Sequence, residues 1–143
     1  MSNWTRDGFE ALCTTLRELG IECVFGIPGT QTVPLFEAFR QHGLRTVLTS
    51  HELGAAFMAN GYFRATGRIA ALSTIPGPGF TYALTGIAEA RLDSVGMLYL
   101  VAKPSTGPGR AFRLQAIDQR AIAGPILKGT FAITDAARAA SLI

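Results

Sequence analysis

Short apolar runs bounded by turn signals constrain this chain more than any other feature. Ile21 to Phe25, Ile69 to Thr74 and Met97 to Ala102 are branched, aromatic or aliphatic almost throughout, and Arg45 to Thr49 is a further candidate strand. Strands apolar on both faces must be covered on both faces, and a parallel sheet flanked by helices does this. Helical spacing fills the gaps between them. Phe9, Leu12, Cys13, Leu16 and Leu19 form one apolar stripe, ended by Gly20, and Leu35, Phe36 and Phe39 form a second, opened by Pro34 and ended by Gly43. Leu84, Ile87, Ala88 and Leu92 line one face of a helix expected over Phe80 to Leu92. The expected fold is α/β: an open, doubly wound parallel sheet with helices on both faces, one domain over residues 1–143. Lys103 to Arg110 reads as a turn-rich loop, the segment expected to be most mobile, and Phe131 to Ile133 as a short last strand. Asp135 then caps a closing helix that has no stop signal, so the domain reads as truncated at its C-terminal helix.

The third helix is expected to run from a cap at Thr49 or Ser50 to a stop at Gly67. Gly54, Met58, Gly61 and Ala65 share one stripe and Ala55, Ala59 and Tyr62 the next, which leaves almost no polar face and predicts a buried helix. Each interior glycine costs about 1 kcal/mol against alanine, a cost usually justified by a backbone or ligand lying close by. Glu52 stands at the mouth of this helix, where the helix dipole favours its charge and burial opposes it. A plain alternative exists: Glu52 three places after Thr49 is what a capping box needs.

Composition removes several classes of function. The formal net charge of +3 comes from scattered Lys and Arg with no basic run, which gives nucleic acid binding little support. No apolar run approaches the roughly 20 residues of a membrane span, and the N-terminus has no signal core. Cys13 and Cys23 lack CxxC spacing and imply no disulfide framework, which with the missing signal points to a reducing cytoplasm. No His, Cys or carboxylate spacing resembles a metal site, and no serine sits in a nucleophile elbow. A mean hydropathy of +0.28 with only 16% charged residues predicts surface hidden by a partner.

Two glycine-rich turns follow strands, Gly26-Ile27-Pro28-Gly29 and Gly77-Pro78-Gly79. The second fails as a dinucleotide fingerprint, because Tyr82 occupies the third glycine position and Pro78 removes an amide donor. Each turn alone reads as an ordinary tight turn. Both nevertheless fall at strand ends on the carboxyl edge of the sheet, as does Glu52, and open α/β sheets bind ligands on that edge.

The order of these motifs is specific. Val24-Phe25-Gly26-Ile27-Pro28-Gly29, then His51-Glu52 with Ala55-Ala56, Met58-Ala59, Gly61-Tyr62 and Arg64-Ala65-Thr66-Gly67, then Gly77-Pro78-Gly79, resembles the pyrimidine-binding N-terminal domain of thiamine diphosphate enzymes of the acetolactate synthase and 2-oxo acid decarboxylase group. The likeness runs on through Ala90, Asp93, Phe112, Gln115, Asp118, Pro125 and Lys128. The resemblance implies that the Glu52 carboxyl shares a proton with the pyrimidine nitrogen of thiamine diphosphate, favouring the imino form that generates the ylide. The ylide would attack a 2-oxo acid, carbon dioxide would leave, and the carbanion would be protonated or passed to a second carbonyl. Pro28, Gly29, Gly79 and Tyr82 would line the pyrimidine pocket, and Gln115 would approach the substrate.

Departures from the family pattern are Tyr82 where asparagine is usual, Gly96 where proline is usual, and Ser50 in place of an arginine. The diphosphate-binding domain, which in the family holds Mg2+ and the phosphates and comes from a partner subunit, is not in this sequence. The resemblance therefore implies a homo-oligomer and a chain inactive by itself. The rival reading is a non-catalytic dimerisation or regulatory module of the same fold, with a dinucleotide-binding domain a distant third.

Overall fold

The computed structural model describes residues 6–104 and 113–134. Beyond Pro104 the loop expected to 110 lies outside the described residues, as do Phe112 and the closing helix expected from Asp135.

Helix α1 spans Arg6–Glu18, strand β1 Cys23–Gly26, helix α2 Val33–Gln41, strand β2 Arg45–Leu48, helix α3 Glu52–Thr66 and strand β3 Ala70–Thr74. Helix α4 spans Pro78–Leu92 and strand β4 Met97–Val101, followed by a single 3-10 turn at Arg113–Gln115 and the short helix α5 at Gln119–Ala123. The four strands are all parallel, in the order β2-β1-β3-β4. In register, Phe25 lies between Val47 and Leu72, and Leu72 faces Tyr99 on the other side.

Alternation along the strands divides the core in two. Val24, Ala71, Leu98 and Leu100 pack with Leu12, Cys13 and Leu16 of α1 and Leu35, Phe36 and Phe39 of α2. Cys23, Phe25, Ala70, Leu72, Met97 and Tyr99 point the other way, onto Ala55, Ala56 and Ala59 of α3 and Ala83 and Ile87 of α4. Helices on both faces of a parallel sheet are the doubly wound architecture expected. The inner strands β1 and β3 are buried throughout, whereas β2 and β4 keep partial exposure as the outer strands of this four-stranded sheet.

Helices α3 and α4 approach closely because both are built from small residues where they cross. A Cβ on Gly86 would lie 2.7 Å from Ala56 Cβ and 3.3 Å from the Phe57 nitrogen. The far ends of the two helices are tied by polar groups. Asn60, almost fully buried, donates to the Glu89 carboxylate and accepts from Arg64 Nε at 2.7 Å, and Arg64 also pairs with Glu89 and Asp93.

The structure corrects four expectations. The cap of α3 is His51, whose Nδ1 accepts from the Leu53 amide at 3.2 Å, while the Thr49 hydroxyl donates to the His51 carbonyl. Glu52 is thus the first helical residue, two positions before the one a capping box requires. Helix α3 is not buried all round: Ala55, Ala56, Ala59 and Asn60 are covered, but Phe57 is 44% and Met58 49% exposed, and a Cβ on Gly54 or Gly61 would meet nothing within 4 Å. Helix α4 begins at Pro78, so Pro78 and Gly79 belong to its first turn and only Gly77 keeps a positive φ, of 71°. Phe131 to Ile133 form no strand; they run as irregular chain along the groove beside β4.

Candidate functional site

The strand order reverses between β1 and β3, and the loops that leave these two strands flank the crevice where open α/β sheets take ligands. The first loop is closed by Thr32, a fully buried residue whose hydroxyl accepts from the Gly29 amide at 2.9 Å instead of capping α2. Gly29 can lie against the second loop because it has no side chain; a Cβ there would collide with Ile75 Cγ2. The other branch of Ile75 meets Gly79, where a Cβ would be 2.7 Å from Ile75 Cγ1 and 3.2 Å from Glu52 Oε1. One isoleucine therefore joins the two glycine turns, and the second turn is open to the carboxylate.

Glu52 is half-buried at the start of α3, beneath the positive end of the helix. Among the described residues no hydrogen-bond donor reaches its carboxylate. Its charge is felt inside the sheet, at Tyr99 of β4. The Tyr99 hydroxyl shares a hydrogen bond with Thr74 Oγ1 at 2.6 Å and donates to the Phe80 carbonyl at 3.3 Å, and its ring stacks on Phe80 with centroids 5.9 Å apart. Burial pushes the Tyr99 hydroxyl pKa up, the Thr74 bond pulls it back, and the Glu52 charge raises it further.

The remaining expected residues take varied places around the same rim. Tyr82 is 54% exposed on α4 and rests against the imidazole of His51, ring centroids 5.2 Å apart. Pro28 is half-buried in the loop of Gly29. Gln115 is brought to the rim from far along the chain by the 3-10 turn, which lies directly on Gly77: a Cβ there would be 2.6 Å from the Leu114 carbonyl oxygen and 2.7 Å from Gln115 Cα. Gln115 Oε1 then accepts from Gln31 Nε2 at 2.5 Å. Glu52, Gly79, Ile75, Gly29, Gln31, Gln115 and Gly77 thus form a continuous ring of neighbours.

Four members of this arrangement escape a reading of the sequence. Gln31 and Ile75 sit in turns whose glycines and prolines dominate the pattern, and Thr74 and Tyr99 read as ordinary strand residues. The Gln31 to Gln115 bond crosses 84 positions, which no local spacing announces. Gln31 Oε1, on the same amide, is buried without a partner among the described residues, a group whose desolvation costs about 1–3 kcal/mol. Among the described residues no cluster of three or more His, Cys, Asp or Glu could hold a metal ion, and no helix is long and apolar enough to cross a membrane.

Comparison with known proteins gives this rim a context. The chain is 39% identical over 137 residues to a probable 2-ketoarginine decarboxylase of Pseudomonas aeruginosa, covering 87% of this chain and 24% of that protein. It is 36% identical over 131 residues to the acetolactate synthase large subunit of Lactococcus lactis, covering 91% and 23%, and 36% identical over 129 residues to that of Corynebacterium glutamicum, covering 90% and 21%. The chain thus spans less than a quarter of the length of these curated relatives. Residues 6–122, which carry every element from α1 into α5 and the whole ring just described, match the model of the thiamine pyrophosphate enzyme N-terminal TPP-binding domain. A match over residues 6–122, most of the chain, makes this chain a member of the thiamine pyrophosphate enzyme family by its N-terminal TPP-binding domain.

Proposed function

We propose that this chain is the pyrimidine-binding half of a thiamine diphosphate-dependent 2-oxo acid decarboxylase or carboligase, with Glu52 as the acid that activates the cofactor. The observation that carries the reading is the Glu52 carboxylate, free of hydrogen bonds among the described residues and held against Gly79. The residues present fit a pyrimidine. A flat ring needs an apolar wall, which Ile75 supplies where it packs on both Gly29 and Gly79. A ring nitrogen that exchanges a proton needs a carboxyl with an open valence, which Glu52 supplies.

In this reading Gly29, Pro28 and the first turn of α4 hold the ring, and Tyr82 closes the outer side beside His51. Glu52 keeps one proton shared between its carboxyl oxygen and the ring nitrogen, within the 10²–10⁴-fold range typical of a positioned acid or base. Thiamine diphosphate, when bound, supplies a carbon nucleophile for the 2-oxo group and takes up the negative charge left as carbon dioxide departs. Gln115 stands on the substrate side of the ring. The diphosphate and its Mg2+ would be held by a domain outside this sequence, from a second subunit, and the chain alone would be inactive.

Similarity to the Pseudomonas relative, a probable 2-ketoarginine decarboxylase, favours decarboxylation, and similarity to the acetolactate synthases favours carboligation. The second reading, a non-catalytic dimerisation or regulatory module, is favoured by the exposed stripe of Phe57 and Met58 on α3. Glu52→Gln separates the two. In the chain assembled with a diphosphate-binding domain, carbon dioxide release from a 2-oxo acid should fall by about 10²–10⁴-fold, with assembly intact. Unchanged release would remove Glu52 from catalysis.

A further inference from the structure

Helix α4 starts without a side-chain cap: Gly77 occupies the cap position at a φ of 71°, and Pro78 opens the first turn. Two hydroxyls behind that turn hold it instead. Thr74, fully buried at the end of β3, shares a hydrogen bond of 2.6 Å with the Tyr99 hydroxyl of β4. Thr74 Oγ1 also lies 3.1 Å from the Ile75 carbonyl oxygen, and the Tyr99 hydroxyl 3.3 Å from that of Phe80. Two hydroxyl hydrogens serve these three contacts. Either Thr74 donates to Tyr99 and Tyr99 to Phe80, or Tyr99 donates to Thr74 and Thr74 to Ile75; in both arrangements the pair fastens the segment 75–80 to the sheet. The Tyr99 ring adds a second hold, stacked on Phe80 within 5° of parallel. That segment carries Gly79, where a Cβ would lie 3.5 Å from Thr74 Cβ, 2.7 Å from Ile75 Cγ1 and 3.2 Å from Glu52 Oε1. The depth at which the first turn of α4 sits therefore sets where the carboxylate rests. Glu52 is in turn near enough to Tyr99 that its charge, beyond the effect of burial, raises the pKa of the hydroxyl further.

We propose that Tyr99 and Thr74 are positioning residues for Glu52: their hydroxyl pair fixes the seat of the first turn of α4 and, through Gly79, the place at which the Glu52 carboxylate meets the pyrimidine ring. This rests on the reading of Glu52 as the acid that activates thiamine diphosphate. Neither hydroxyl has to touch the cofactor, because each acts through the backbone of the segment 75–80. Losing either one frees that segment to shift against Glu52, and the two losses are one event.

The test uses the chain assembled with its diphosphate-binding domain. Tyr99→Phe removes one hydroxyl and keeps the ring on Phe80, Thr74→Val removes the other at nearly constant size, and Thr74→Ser keeps the hydroxyl as the conservative rescue. At saturating thiamine diphosphate, hydrogen–deuterium exchange at the thiazolium carbon should slow about tenfold in Tyr99→Phe and in Thr74→Val, the scale of one hydrogen bond. Thr74→Ser should stay near the wild-type rate. The double variant Tyr99→Phe with Thr74→Val should be no slower than either single one, because the hydroxyls act as a pair. In the Glu52→Gln background neither substitution should slow exchange further. Titration calorimetry of thiamine diphosphate into the cofactor-free assembly should rank the variants in the same order by affinity, without turnover. Tyr99→Phe alone decides the matter where Thr74→Val fails to fold. Variants that lower the midpoint of thermal unfolding but leave exchange and affinity at wild-type values assign the pair to the fold alone and overturn the inference, with the reading of Glu52 still standing. A loss that adds in full to that of Glu52→Gln also overturns it, since the pair would then act by another route. Unchanged exchange in Glu52→Gln itself overturns the reading and the inference together.

Discussion

At the scale of single residues, the site depends on atoms that are missing. Gly79→Ala places a methyl 2.7 Å from Ile75 Cγ1 and 3.2 Å from Glu52 Oε1, so the cost falls on the carboxylate and on the isoleucine that joins the two turns. Overpacking of this kind costs about 1–3 kcal/mol, and the variant should lower the midpoint of thermal unfolding and weaken thiamine diphosphate binding together. A variant that lost stability but bound the cofactor as before would separate Gly79 from the site. Cys13 gives a pH-dependent prediction. Burial pushes its thiol from 9.0 up to about 11. Its contribution to stability is therefore complete below pH 9 and is lost as pH rises through 11, because the unfolded chain ionises first. Urea midpoints should fall over that window, and Cys13→Ala should flatten the fall. At this scale the sequence was informative only in part. Glu52 and the glycines stood out because they break the apolar pattern, whereas the Gln31 to Gln115 bond, the Thr74 to Tyr99 hydroxyl pair and the role of His51 as cap arise from tertiary contacts between residues that look ordinary in their own segments.

At the scale of elements, the fold was legible where one period ruled. The apolar runs became β1, β3 and β4, and the glycines at 20, 43 and 67 ended their helices at positive φ, as expected. Phe131 to Ile133 misled because a short run of three apolar residues between threonines looks the same as a strand and as a chain lying in an apolar groove. Helix α3 misled for a more informative reason. Small apolar residues on every face predict burial all round, but only one side of the helix, Ala55, Ala56, Ala59 and Asn60, is covered. The two kinds of glycine on α3 and α4 can be told apart by substitution. Gly86→Val should push α4 off Ala56 and Phe57 and cost about 1–3 kcal/mol. Gly61→Ala meets nothing within 4 Å and should stabilise the isolated chain by about 0.5–1 kcal/mol. Chemical denaturation of both variants checks the pair; destabilisation by Gly61→Ala would show that the outer face of α3 is already covered.

At the scale of the whole molecule, the sheet brings three loops from β1, β2 and β3 to one edge, where the Glu52 carboxylate lies beside Gly79. Among the described residues no group of three or more His, Cys, Asp or Glu could hold a metal ion. Phe57 and Met58 leave an apolar patch exposed on α3. The central claim is that Glu52 exchanges a proton with the bound pyrimidine and so prepares the cofactor. The measurement that addresses it most directly is the rate of hydrogen–deuterium exchange at the thiazolium carbon, followed by proton magnetic resonance in the assembled enzyme with and without Glu52→Gln. The account predicts a fall of at least about a hundredfold with cofactor still bound. An exchange rate within a few-fold of the wild type, at equal occupancy of cofactor, would contradict it.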